Sequence, residues 1–165
     1  MLKLAEELIA ILQEQLDLYT QLLNLARAKR PVLVKGKIEE LDGITKQEEA
    51  IIFQVGRLEG QRNRIHQALA NHFALSPANL TATELEKRLD AEAAARLRCV
   101  FDKMVNIFAE LEKENKTNTE LIEHSLEYVN FYLNILSNTD TSPSYNDNDK
   151  DRKNEAPARI FDQKI

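Results

Sequence analysis

The feature that most constrains this chain is a long stretch from Ala91 that contains neither glycine nor proline and keeps a strict seven-residue rhythm. Because that rhythm places one stripe of side chains on a single helix face, the stretch predicts a long, coiled-coil-like helix. Its length exceeds that of the helices predicted before it, so we expect part of it to lack a partner within the chain. The rhythm is carried by Leu97, Phe101, Met104, Phe108, Leu111, Asn115, Asn118, Ile122, Ser125, Val129, Tyr132 and Leu136.

Two earlier segments, residues 4–30 and 38–70, show the helical spacing of three and four between apolar residues. Between them, Pro31 disfavours a helical conformation for the residue before it, and Gly36 suits the left-handed position past a helix end. This pattern therefore predicts a kink and a turn over residues 31–37. Because a short connection makes two helices antiparallel neighbours, we expect a long helical hairpin over residues 4–70.

A short helix and a polar tail complete the predicted organisation. Leu75–Asn79 contains proline and predicts a loop, and Thr81 precedes Glu84 with the spacing of a capping box. The fold class is therefore all-α: a long antiparallel helical hairpin, a short helix and a third long coiled-coil-like helix. We expect one helical domain over residues 1–137 and a disordered polar tail over residues 138–165, where apolar residues are rare.

Composition excludes several classes of partner and location. A net charge of -5 and a pI near 5.3 argue against binding to nucleic acid or to an anionic membrane. No charge-free stretch approaches the ~20 apolar residues needed for membrane insertion. Glu6 and Glu7 interrupt any hydrophobic region of a signal peptide, so we expect a cytoplasmic protein. Cys99 is the one cysteine, so an internal disulfide and a cysteine-based zinc site are both ruled out.

The sequence offers no pattern typical of catalysis. His66, His72 and His124 are scattered, and none follows a glutamate by the three residues that a di-iron helical bundle requires. Glycine-rich phosphate loops and serine nucleophile motifs do not occur. We therefore predict no catalytic residue, no metal site and no cofactor. The protein is not expected to be an enzyme but to bind another polypeptide.

Four polar residues interrupt the apolar faces of the predicted helices. Because a buried polar group without a partner is destabilising, we expect these side chains to pair. If the third long helix is antiparallel to the second, Glu48 lies near Asn115 and Asn118. The same geometry places Arg62 near Asp102. We interpret Glu48, Arg62, Asn115 and Asn118 as a structural polar seam that determines helix register.

The end of the last long helix carries a broad apolar stripe. Its candidate partner-binding residues are Leu121, Ile122, Leu126, Tyr128, Val129, Tyr132, Leu133 and Leu136. If exposed, such a surface is typical of a protein-binding site. Two other arrangements stay open, in which the stripe is buried in a homo-oligomer or folds back onto the helical bundle.

Several sequence motifs resemble those of a known family. The resemblance covers residues 4–136 and includes Glu48 and Arg62 in the second helix. Its other motifs are Tyr19-x-x-Leu22-Leu23, then Lys29-Arg30 followed by Leu33-Val34-x-Gly36-x-Ile38-x-x-Leu41, and finally Asn115-x-x-Asn118-x-x-Leu121-Ile122-x-x-Ser125-Leu126-x-Tyr128-Val129. With these motifs the chain resembles the FlgN-like flagellar export chaperones.

The resemblance implies a bacterial cytosolic chaperone with specific partners. Such a chaperone holds the amphipathic terminal helices of hook-filament junction proteins before secretion and delivers them to a component of the type III export gate. The last long helix would then be the partner surface. The alternative is a structural coiled-coil adaptor that self-associates, and a helical-bundle enzyme is a third reading.

Overall fold

The structure is a computed structural model that describes residues 2–139, and these residues form helices and no strand. The all-α prediction is confirmed, including the two long helices of the hairpin, the short helix and the third long helix. The predicted tail lies outside the described residues from residue 140 onward. The helices are α1 (Leu2–Val34), α2 (Ile38–His72), a 3-10 turn (Pro77–Asn79), α3 (Ala82–Glu86) and α4 (Ala91–Thr139).

The chain divides into two units, of which the first ends at Tyr128 and the second begins at Val129. The first unit contains α1, α2, α3 and residues 91–128 of α4. The described part of the second unit is the end of α4, residues 129–139.

The turn between α1 and α2 is shorter than predicted. Helix α1 continues through Pro31 to Val34, so the turn expected over residues 31–37 is confined to its last three positions. Proline has no backbone N–H, so α1 continues past this position without the one hydrogen bond that residue 31 would otherwise donate to the Arg27 carbonyl. The chain then reverses at Gly36, whose φ is +64°. The Gly36 amide donates to Leu33 and the Lys37 amide donates to Val32, each at 3.1 Å, which is a Schellman helix end.

The core of the first unit joins all four of its helices. Leu12 of α1, Leu69 of α2 and Leu97 of α4 are almost completely buried, and Leu85 brings α3 into the same cluster. The predicted cap of α3 is present, since the Thr81 hydroxyl accepts a hydrogen bond from the Glu84 amide at 3.2 Å. The core cluster consists of Leu8, Ile9, Leu12, Leu16, Leu69, Ala70, Leu80, Leu85, Ala93, Leu97, Val100 and Met104.

Ion pairs show that α4 runs parallel to α1 within the first unit. Arg96 pairs with Glu6 near the start of both helices, and Arg27 pairs with Glu110 farther along. The aromatic ring of Tyr19 contacts the edge of Phe108, with 4.7 Å between ring centroids. In these contacts the residue numbers rise together along the two helices, as parallel helices require. The same contacts show that α1 supplies partners for polar side chains of α4.

Candidate partner-binding surface

Glu48 has a different partner from the one predicted. Its carboxylate pairs with the Lys29 ammonium of α1 at 2.5 Å, and the two side chains are only 15% and 16% exposed. The expected partial burial is present, but the expected pairing with Asn115 and Asn118 of the third long helix is wrong. In the antiparallel hairpin, Lys29 lies directly opposite Glu48, and an adjacent cation binds the carboxylate more strongly than a neutral amide does.

Arg62 also pairs elsewhere than predicted. It is partly buried, and its guanidinium contacts Glu59 on its own helix at 2.5 Å, so the expected pairing with Asp102 is wrong. Glu59 in turn accepts a hydrogen bond from Gln15 of α1 at 3.2 Å. Burial raises the pKa of Tyr19, the charge of Glu59 raises it further, and the charge of Arg62 lowers it. A polar cluster of α1 and α2 therefore satisfies Arg62.

Gln15 belongs to this cluster, although the sequence reading did not identify it. Its side chain is 1% exposed, and its amide oxygen has no hydrogen-bond partner among the described residues. The signal was present in the sequence, because Gln15 lies between Leu12, Leu16 and Tyr19 on the apolar face of α1. A polar residue on such a face is a candidate for a buried interhelical contact.

The two asparagines of the predicted seam have different environments. Asn118 is 4% exposed, and its amide nitrogen donates to the Ala26 carbonyl at 2.8 Å. Asn115 is exposed. Of the two asparagines, Asn118 therefore lies on the side of α4 that faces α1. The structural role predicted for Asn118 is therefore directed at α1 instead of α2.

The part of the apolar stripe in the first unit is mostly exposed. Leu121 is partly buried, whereas Ile122, Leu126 and Tyr128 are exposed. Leu126 keeps 58% of its accessible surface, which is unusual for a leucine in a helical core. Burial of Leu126 in the chain's own core is therefore excluded.

The part of the stripe in the second unit is exposed as well. Val129, Phe131 and Leu133 keep 52%, 60% and 57% of their surface. At about 100° per residue, the apolar side chains of residues 129–136 extend over more than half of the helix circumference, and only Asn130 and Asn134 interrupt them. The remaining apolar residues here are Tyr132, Ile135 and Leu136, which are also exposed. A helix end of this kind is typical of a surface that another protein covers.

An apolar cleft of ≈ 310 Å³ lies in the first unit and was not predicted. Leu8, Leu80 and Phe101 line it together with Arg62 and His66. The His66 ring contacts the Leu80 carbonyl at 2.8 Å, which orients the loop before α3. The cleft is suited to an apolar side chain and contains no set of groups arranged for acid–base chemistry.

In residues 2–139, no group of three or more histidine, cysteine, aspartate or glutamate side chains could hold a metal ion. No helix within that range is long and apolar enough to cross a membrane. Cys99 is exposed.

A family model described as FlgN protein matches residues 1–153 of the chain. No curated protein and no solved structure matches it.

Proposed function

The chain belongs to the FlgN family of flagellar chaperones, and from this membership we propose that it binds hook-filament junction proteins in the cytoplasm before their secretion. The chaperone then delivers them to a component of the type III export gate. The bound segment is an amphipathic terminal helix of the junction protein. The observation that supports this surface is the exposure of Leu126, Val129 and Leu133 near the end of α4.

The physical reason for such a chaperone is protection of an apolar segment. A junction protein awaiting export exposes a helix face that is later buried in the filament, and exposed faces of this kind aggregate. A helix with a broad apolar stripe covers that face by helix-on-helix packing. Because the bound segment loses conformational entropy on binding, its affinity stays moderate and release remains feasible.

The proposal is tested by replacing Ile122, Val129 and Leu136 with serine in the full-length protein. Each buried side chain of this size contributes about 1.5–3 kcal/mol to a helix–helix interface, so the triple change is expected to abolish capture of a junction-protein terminal fragment. Capture is measured by pull-down and calorimetry, and circular dichroism is measured on the same sample. Retained helicity with lost capture supports the proposal.

A matched control is available on α1 and α2. Val34, Ile38 and Ile52 are also exposed, so their replacement with serine removes exposed apolar groups of similar size away from the stripe. This control is expected to capture the fragment normally. Undiminished capture by the stripe variant, or its unfolding, would contradict the proposed surface.

The same exposed stripe also favours a second candidate function, a coiled-coil adaptor that binds a second copy of itself. The two functions differ in what covers Leu126 and Leu133. Analytical ultracentrifugation with and without the junction-protein fragment separates them. A chaperone forms a complex of defined stoichiometry with the fragment, whereas an adaptor self-associates and ignores it.

A further inference from the structure

Three glutamates form a row on α4 beside the exposed apolar stripe. Glu120, Glu123 and Glu127 are spaced by three and four residues, which places them on one side of the helix. All three are exposed and belong to the first unit. Glu123 lies three residues before the exposed Leu126, so this glutamate row borders the apolar surface.

Two earlier glutamates on α4 have cationic partners on α1. Glu110 pairs with Arg27 and Glu114 pairs with Arg30, and both arginines belong to α1. These pairs balance the negative charge of α4 where it packs against α1.

The glutamate row differs because its charges are not balanced. Among the described residues, Glu120 and Glu123 form no ion pair. Within residues 2–139, the Glu127 carboxylate lies 3.6 Å from the His124 ring, in an exposed pair. Residues 117–139 contain no lysine and no arginine. The row therefore presents net negative charge to solvent directly beside exposed apolar side chains.

Like charges three or four residues apart on a helix repel one another and destabilise it. A bound partner with lysine or arginine side chains beside these glutamates would reduce that repulsion and be attracted to them. Charges at the rim of an interface act mainly on partner choice and association rate. We propose that the glutamate row selects amphipathic helices that carry lysine or arginine beside their apolar face. This inference rests on the proposed function of the stripe.

The probes for the test are two synthetic helical peptides with the same apolar face, one with lysines and one with glutamines beside it. Calorimetry with the full-length protein at about 0.05 M salt is expected to show about tenfold tighter binding of the lysine peptide. The variant Glu120→Gln/Glu123→Gln/Glu127→Gln should bind the lysine peptide about tenfold more weakly than the native protein. Its affinity for the glutamine peptide should change less than about twofold.

The control variant removes three exposed glutamates from α1 and α2. Glu14→Gln/Glu39→Gln/Glu49→Gln makes the same change in net charge away from the stripe. Its affinity for both peptides should stay within about twofold of the native value. Raising the salt to about 0.5 M should remove the preference of the native protein for the lysine peptide, because the Debye length then falls to about 4 Å.

The outcomes separate this inference from the proposed function. The native protein could bind the two peptides equally well, while the Ile122→Ser/Val129→Ser/Leu136→Ser variant binds neither. That result overturns selection by the glutamates but still supports the apolar stripe as the binding surface. An equal loss of lysine-peptide affinity in the control variant also overturns it. Failure of the native protein to bind either peptide, or binding that survives the serine variant, overturns both.

Discussion

Asn118 is a buried polar side chain that uses its amide nitrogen and leaves its amide oxygen without a partner among the described residues. Asn118→Ala removes the hydrogen bond to Ala26 together with the unsatisfied oxygen. Because these effects partly offset each other, the free energy of unfolding is expected to fall by only about 1 kcal/mol. Urea denaturation measures the change.

Asn115 provides the matched control on the same helix. Because its side chain is exposed, Asn115→Ala should change the free energy of unfolding by less than about 0.5 kcal/mol. Equal effects of the two substitutions would show that the Asn118 side chain makes no net contribution to stability.

The Lys29–Glu48 pair is the second test at the scale of residues. Either Lys29→Met or Glu48→Leu leaves one charge largely buried without its partner, so each is expected to lower the free energy of unfolding by about 1–2 kcal/mol. The double variant should lose less free energy of unfolding than the two single variants lose in total, and the difference is a coupling energy of about 1 kcal/mol. The comparison is the Lys46–Asp42 pair of α2, which is 71% and 61% exposed and should show no measurable coupling.

At the scale of elements, the hairpin depends on the left-handed conformation of Gly36. Any side chain is strained at its φ of +64°, so Gly36→Ala is expected to lower the free energy of unfolding by about 1 kcal/mol. Gly56 lies inside α2, and a Cβ built there meets nothing within 4 Å. Gly56→Ala should therefore raise stability by about 0.5–1 kcal/mol. Thermal denaturation of both variants checks that Gly36→Ala lowers stability and that Gly56→Ala raises it.

The helices themselves were predictable because their signals are local. Periodicity identified α1, α2 and α4, and the Thr81 capping motif identified α3. The boundary at Pro31 was not predictable in the same way. Proline usually ends or kinks a helix, yet α1 continues through Pro31, and the Schellman end at Gly36 sets where the helix stops.

At the scale of the whole molecule, different leucines are expected to contribute to stability and to partner binding. Leu97 is completely buried in the core of the first unit, so Leu97→Ala should lower the free energy of unfolding by about 3 kcal/mol or more. Leu126 is 58% exposed, and Leu126→Ala should change stability by less than about 0.5 kcal/mol. Urea denaturation of each variant measures this. A large loss of stability in Leu126→Ala would show that the stripe is structural.

The sequence by itself determined the helices, their order and the apolar stripe at the end of α4, because helical periodicity and capping depend on neighbours within a few residues. Tertiary structure alone decided which polar groups meet. A charged side chain pairs with the oppositely charged group nearest to it on the adjacent helix. Which group is nearest depends on how each helix is rotated about its axis and shifted along it. Glu48 therefore pairs with Lys29, and Asn118 donates to Ala26, although both had been assigned to contacts between α2 and α4. The exposure of Leu126 likewise follows from which faces the other helices cover.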